Sequence, residues 1–285
     1  MSRAISSSSI KHSVFASLLR KKSSRVGFAI VIAFLVMLAV GPHLTPYGPY
    51  QTSALLNNPP SYAHPLGTDY LGHDLLSQLI YGAYPSILVG VSGAFGAVLI
   101  GVLVGVPAGY FRRLEGIFTG MTDVVLTFPP LPLMILLGSL SQSTNEVITL
   151  VLVAVLWPPI ARSIRSQVMS VKQNPYIEAS KLSGMKDLEI IVKDIVPEIL
   201  SIAVGYFVLT AASAIVLVTG LEYIGVGNPD IVSWGSIIYW GQQFGFYSGA
   251  WWWVLEPGLL ITLLAIGFAL IGFSVEEVMN PRLKI

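Results

Sequence analysis

The sequence lacks cysteine altogether and carries little charge. Without cysteine, disulfide bonds, thiolate metal sites and cysteine nucleophiles are excluded. Only 11% of the 285 residues are charged, against about 25% in soluble domains, and 54% are hydrophobic. Because so few ionisable side chains cannot coat a globule of this size, much of the surface must face an apolar medium. The composition therefore predicts an all-α, polytopic membrane protein.

Catalytic motifs are also missing. The sequence has no G-x4-GK[ST] phosphate loop, so the chain does not bind and hydrolyse ATP by that route. None of its four histidines lies in the apolar part of a predicted span, which leaves a membrane-embedded histidine relay unsupported. We expect a non-catalytic protein, and any active transport must draw its energy from another subunit.

Six apolar stretches are long enough to cross a bilayer as helices, which takes roughly 20 residues each. They are 26–44, 86–110, 117–139, 147–166, 199–221 and 255–275. The basic N-terminus followed by VGFAIVIAFLVMLAV could instead be a cleaved signal peptide. An uncleaved anchor is favoured because 25 residues precede the apolar run and no A-x-A site follows it.

The basic residues predict the orientation of the chain. All sixteen Lys and Arg lie in four segments: 1–25, 112–113, 162–198 and 282–284. The positive-inside rule then places both termini in the cytoplasm, and six spans alternate correctly between these segments. The resulting divisions are a cytoplasmic tail (1–25), a first helix with an outer loop (26–85), a five-helix core (86–276) and a C-terminal tail (277–285).

Glycine and proline mark the second, third and fourth spans. Gly101, Gly105 and Gly109 follow Ala97 at every fourth residue, a spacing that lets another helix approach closely, although membrane helices are generally rich in glycine. Prolines should break or kink the third and fourth spans, either to line a pathway or to accommodate packing. These are Pro129, Pro130 and Pro132, then Pro158 and Pro159.

An acidic residue lies in or near the third span. Intramembrane acids are functional candidates, although Asp123 is close enough to the cytoplasmic end to be hydrated. Asp123 and Pro129 are our candidates for a pathway or gating role.

Two segments are predicted to face outward. The first, 45–85, is expected to be an ordered loop with a short helix near 71–82. Its histidines and acids do not have a recognised metal-ligand spacing, so capping and turn roles are favoured for the Asp residues. These residues are His64, Asp69, His73 and Asp74. The second, 222–254, holds five of the six Trp, and 251–253 is typical of an interfacial belt beside a docking surface.

The densest charge lies at 178–198, with eight charged side chains in EASKLSGMKDLEIIVKDIVPE. The pattern predicts two short cytoplasmic helices hinged at Gly184, before Pro197 opens the fifth span. One face of the second helix should be apolar, and Glu189 should pair with Lys193. The apolar face is Leu188, Ile191, Val192 and Ile195. Acids are at least as frequent as bases, which favours a protein partner over a solvated connector or a lipid-surface helix.

Three motifs carry a family resemblance. YIEASKLSGMKDLEIIVKDIVPE resembles the EAA signature of permease subunits in binding-protein-dependent ABC importers, and most closely their dipeptide/oligopeptide/nickel branch. HPLGTDYLGHDLLSQLIYGA at 64–83 and the C-terminal WWWVLEPGLLITLLAIGFALIGFSVEEVMNPRLK resemble two further motifs of that branch. The match runs from about residue 25 to the end, and the 64–83 motif indicates the C-type permease of the pair.

The resemblance implies the type I importer fold in the cell membrane, in which this chain and a second homologous permease form one pathway. Two cytoplasmic ATPases would use ATP and Mg, and an extracytoplasmic binding protein would deliver the solute. This chain would bind no cofactor, metal or nucleic acid. Segment 172–198 would be the coupling segment that contacts the ATPase. Its implied site residues are Tyr176, Glu178, Ala179, Ser180, Gly184 and Pro197.

The departures from the branch pattern leave the fold intact, and the loss of a cation at 194 puts partner specificity in doubt. They are Ser180 for Ala, Lys193-Asp194 for Arg-His, Glu198 for Asn, and His73 and Gln78 for Arg. Di- or oligopeptides are the expected solute, with oligosaccharides or nickel as alternatives. A stand-alone secondary transporter or channel and a non-transporting scaffold are the alternatives from other classes.

Overall fold

The computed structural model describes residues 18, 20–140, 144–228 and 230–279, and the predicted tails lie mostly outside these residues. Within them, five helices are long and apolar enough to cross a membrane. They are α1 (Lys22–Leu44), α2 (Leu75–Tyr110), α5 (Asn145–Val171), α7 (Asp187–Tyr223) and α9 (Trp252–Met279).

A bent pair of helices supplies the remaining predicted span. α3 (Arg112–Leu126) and α4 (Pro130–Ser139) meet at a bend of 85°. The break that the prolines predict in the third span is therefore confirmed. The fourth span is not broken at its prolines, because α5 continues as one helix through Pro158 and Pro159.

The small-residue row on α2 packs against α5, as its spacing predicts. A Cβ atom added at Gly101 would lie 2.6 Å from Ile160 Cγ2, and one at Gly105 would lie 2.7 Å from the carbonyl oxygen of Ala161. These distances leave no room for a larger residue. The two backbones therefore meet at the closest approach that helices allow.

α1 packs mainly on α9, through glycines on both helices. A Cβ at Gly27 would lie 2.7 Å from the carbonyl oxygen of Gly267, and one at Gly267 would lie 2.8 Å from Ile30 Cγ2. Ser23 and Ser274 share a hydrogen bond of 3.2 Å between their hydroxyls. The first helix is thus joined to the last helix of the core.

The outer loop is ordered as predicted, but its short helix is the start of α2. Asp74 caps this helix by accepting hydrogen bonds from the Ser77 amide at 2.8 Å and the Ser77 hydroxyl at 2.7 Å. His64 Nδ1 lies 2.9 Å from the other oxygen of Asp74. Asp69 accepts from the amides of Leu71 and His73, each at 2.8 Å. The capping and turn roles predicted for the two acids are confirmed.

The outer Trp-rich segment is held by a buried tryptophan of α8 (Trp234–Trp240). Trp234 is fully buried, and its indole nitrogen donates to the carbonyl oxygen of Leu79 at 2.9 Å. The predicted belt is only partly realised. Trp251 is 64% exposed, whereas Trp253 is 1% exposed and stacks on Tyr70 at 5.9 Å between ring centroids.

We predict that Gly105→Ala destabilises the protein by about 1–3 kcal/mol, because the added methyl group overpacks the contact with α5. Gly116→Ala is the matched control, since a Cβ there meets nothing within 4 Å and alanine favours helix. Thermal unfolding of the purified chain in detergent measures both. Equal stability of the two variants would contradict the packing assigned to Gly105.

Candidate functional site

The candidate coupling segment contains a short helix, α6 (Pro175–Leu182), between α5 and α7. Pro175 starts it with a fixed φ and no amide to leave unpaired. Gly184 ends it at φ +82°, where a side chain would be strained. The Gly184 amide donates to Lys181 O at 3.0 Å, and the Met185 amide donates to Ser180 O at 3.2 Å. This is a Schellman motif, so the glycine stop predicted at this position is confirmed.

One face of α6 is fastened to α7. Ile177 is fully buried in the apolar cluster that also contains Ile195. Tyr176 donates its hydroxyl hydrogen to Glu198 Oε2 at 2.7 Å. Burial raises the pKa of the Tyr176 hydroxyl, and the hydrogen bond to Glu198 raises it further, so this group remains a donor.

Two departures from the branch pattern meet on this face. Ser180 donates its hydroxyl hydrogen to Asp194 Oδ2 at 3.0 Å. Ser180 replaces an alanine and Asp194 replaces a histidine, so the new donor is paired with the new acceptor. Glu198, which replaces an asparagine, is the acceptor for Tyr176. These substitutions form hydrogen bonds within the chain.

The opposite face of α6 is exposed. Glu178 and Ala179 both lie there, and Glu178 forms no ion pair with the described part of the chain. Leu182 is 85% exposed, and Leu188 beyond the turn is 71% exposed. The sequence did not lead us to predict that these two leucines lie on the surface. Large apolar side chains at a helix end outside the spans are the signal that could have identified them.

The second predicted helix is the beginning of α7, which runs without interruption from Asp187 to Tyr223. Pro197 therefore does not open the fifth span. A π-helical turn, Ile191–Ile195, precedes the proline, and the Val196 amide donates to Ile191 O. This wider turn accommodates the residue that cannot donate a backbone hydrogen bond.

The apolar face predicted for that helix is partly wrong. Ile191 and Ile195 are buried, but Leu188 and Val192 are 71% and 58% exposed. Ile190, which the 3.6-residue period leaves out, is fully buried. The π-helical turn changes the angular spacing, so the period no longer identifies the buried side. The predicted pair of Glu189 with Lys193 is confirmed, with Oε1 and Nζ 3.8 Å apart.

The two candidate gating residues belong to α3 and its bend. Asp123 forms an ion pair with Arg162 of α5, and both side chains are more than half exposed. Pro129 immediately precedes α4, at the 85° bend. Neither shares a hydrogen bond or ion pair with segment 172–198 among the described residues.

Taken together, these features define a polytopic membrane protein that presents one short helix outside the apolar spans. Comparison with known proteins identifies its family. Residues 97–285 match the family described as "Binding-protein-dependent transport system inner membrane component". Residues 10–65 match "N-terminal TM domain of oligopeptide transport permease C". The chain belongs to this family of inner-membrane permeases.

Curated relatives match over nearly the full length. A dipeptide transport system permease protein, DppC, of Bacillus subtilis (strain 168) is 32% identical over 268 residues, or 93% of this chain and 83% of that protein. The oligopeptide transport system permease protein OppC of the same strain is 31% identical over 267 residues, or 92% of this chain and 87% of that protein.

A solved structure with the same fold is an inward-facing form of the MetNI methionine ABC transporter. It superposes with a TM-score of 0.57 at 19% identity, over 71% of this chain and 94% of that chain. This similarity confirms the predicted type I importer permease fold.

We predict that Gly184→Val frays the end of α6, whereas Gly184→Asn leaves it largely intact. The left-handed conformation costs roughly 1–2 kcal/mol for most residues, and asparagine tolerates it. Open space surrounds the site, so neither side chain clashes. Hydrogen exchange of the α6 amides should be about 5- to 30-fold faster in the valine variant than in the asparagine variant. Equal exchange in both variants would contradict the assigned cap.

Proposed function

We propose that this permease is the C-type subunit of an ATP-driven importer of di- or oligopeptides. The match of residues 10–65 to the permease C domain supports the C-type assignment. The names of the Bacillus subtilis relatives support a peptide solute. Two partner ATPases hydrolyse ATP and use Mg to do so. An extracytoplasmic binding protein delivers the solute.

The exposed face of α6 carries this proposal. Glu178 and Ala179 are open on one side, while Tyr176 and Ser180 fasten the other side to α7. Such a helix can receive a protein partner without losing its own attachment. Both termini and α6 then lie in the cytoplasm, where the basic segments predict them to be.

The roles of the coupling residues follow from this arrangement. Glu178 and Ala179 contact the ATPase, with the small side chain permitting close approach. Tyr176 and Ser180 attach α6 to α7, and Gly184 fixes the turn between the two helices. Pro197 acts through the π-helical turn before it.

A second homologous permease completes the pathway. The first half of the bent pair, α3, leaves an apolar face uncovered, with Ile117 62% exposed and Val124 64% exposed. A partner subunit packed on this face would cover it. Asp123 and Pro129 lie on this bent pair of helices. A pathway or gating role would require both residues to lie between the two subunits.

Glu178→Lys should reduce ATP-coupled uptake at least about tenfold while the protein remains inserted, because it reverses an exposed charge facing the partner. Glu146→Lys is the matched control, with the same charge change at the opposite end of α5 from the coupling segment. Uptake into vesicles containing the purified partners measures both variants. Unchanged uptake in the Glu178 variant would refute the coupling role.

The solute is tested by uptake of a labelled dipeptide in the same vesicles. We expect accumulation that requires ATP and the binding protein. Accumulation of nickel or an oligosaccharide instead of the dipeptide would overturn the solute assignment and leave the importer assignment intact. Uptake by this chain without ATP would indicate a stand-alone transporter or channel.

A further inference from the structure

A cavity of about 600 Å³ opens where α2 ends and α3 begins, beside the coupling segment. Residues 110–114 form one side of it, and Lys172, Lys181 and Asp187 form the other. Lys181 extends the cavity onto α6, three residues along the helix from Glu178. Neither the importer function nor the peptide solute accounts for this cavity.

The cavity carries an excess of positive charge. Arg112, Arg113, Lys172 and Lys181 line it, and none of them forms an ion pair with an acidic side chain of the described chain. The one carboxylate, that of Asp187, already accepts the Tyr110 hydroxyl hydrogen at 2.6 Å. Four cations and one engaged carboxylate make a site that favours an anion.

A buried aromatic ring positions two of these cations. Lys172 Nζ lies 5.2 Å and Lys181 Nζ 5.4 Å from the centroid of the Tyr110 ring. Lys172 Nζ also donates to the Tyr110 carbonyl oxygen at 2.5 Å. Tyr110 itself is only 3% exposed, so the ring is fixed in the fold. Attraction to the ring holds both cations at the wall of the cavity, where a bound anion would offset their charge.

The depth of the cavity selects the kind of anion. Tyr110 is the last residue of α2, a 36-residue helix that is long and apolar enough to span the bilayer. The apolar span predicted at 86–110 ends at Tyr110, which places the cavity near the level where the hydrocarbon ends and headgroups begin. Basic pockets between membrane helices at this level are suited to phospholipid headgroups.

We propose that this cavity binds the phosphate of an anionic phospholipid. Arg112 and Arg113 contact the phosphate from the α2–α3 elbow, and Lys172 and Lys181 contact it from the coupling segment. The bound lipid connects the elbow to the segment that contains α6. Anionic lipid is then a structural component of the coupling region, in addition to the importer function proposed above.

Native mass spectrometry of the assembled transporter tests this site after exchange into phosphatidylcholine nanodiscs containing phosphatidylglycerol. The test variant is Arg112→Gln/Arg113→Gln, which removes two exposed charges. The matched control is Lys22→Gln/Arg25→Gln, which removes two exposed cations at the start of α1, outside the cavity. Each basic residue near an anionic surface contributes about a fivefold gain in binding, so the test variant should retain phosphatidylglycerol roughly 30-fold more weakly.

Each outcome decides the proposal. Loss of phosphatidylglycerol in the test variant but not in the control supports it. Equal retention by both variants overturns it. If millimolar inorganic phosphate raises the thermal midpoint in detergent as much as phosphatidylglycerol does, the site takes a free anion and the lipid assignment is wrong. Loss of the ATPases with phosphatidylglycerol retained shows that a protein covers the cavity, which also overturns it.

Discussion

The contact between α2 and α5 fixes the position of everything that lies outside the lipid. Helices in a bilayer gain nothing from hiding apolar surface, so they must pack closely to associate. Glycines at 93, 101, 105 and 109 let α2 approach α5 along its C-terminal half. Both helices end at the same level, where Lys172 donates to the carbonyl oxygen of Tyr110. The packing of these two helices therefore places the elbow after α2 directly beside the coupling segment.

The sequence predicted the spans, a close helix contact along the small-residue row of α2 and the stop at Gly184, because hydropathy, small-residue spacing and left-handed glycine are local signals. It did not predict where α2 and α7 begin. Asp74 caps α2 inside a loop rich in glycine and proline, and the π-helical turn carries α7 through Pro197. The presence of proline did not by itself determine where the helices break. The chain bends at Pro129 but continues through Pro158, which lies in the stretch of α5 that packs against α2.

The candidate site was predictable as a segment but not in its internal contacts. Ser180 and Asp194 are 14 residues apart, and Tyr176 and Glu198 are 22 residues apart. No helical period relates them, since a turn with a left-handed glycine lies between the members of each pair. From the sequence these substitutions were departures from a pattern, and only the loss of a cation at 194 put partner specificity in doubt. Read in the structure, they form hydrogen bonds that hold α6 against α7, so the same residues determine how firmly the coupling helix is attached.

This attachment specifies how movement can pass from the ATPases to the pathway. In the proposed mechanism, the partner acts on the exposed face of α6, and Ile177, Tyr176 and Ser180 transfer the displacement to α7. That helix continues from Asp187 to Tyr223 through the apolar core, so no flexible linker separates the coupling surface from the membrane. A ligand shifts such a two-state equilibrium only by its differential affinity for the two states. The hydrogen bonds of Tyr176 and Ser180 must therefore persist in both states, because a bond broken in one of them would absorb part of the free energy that ATP binding supplies.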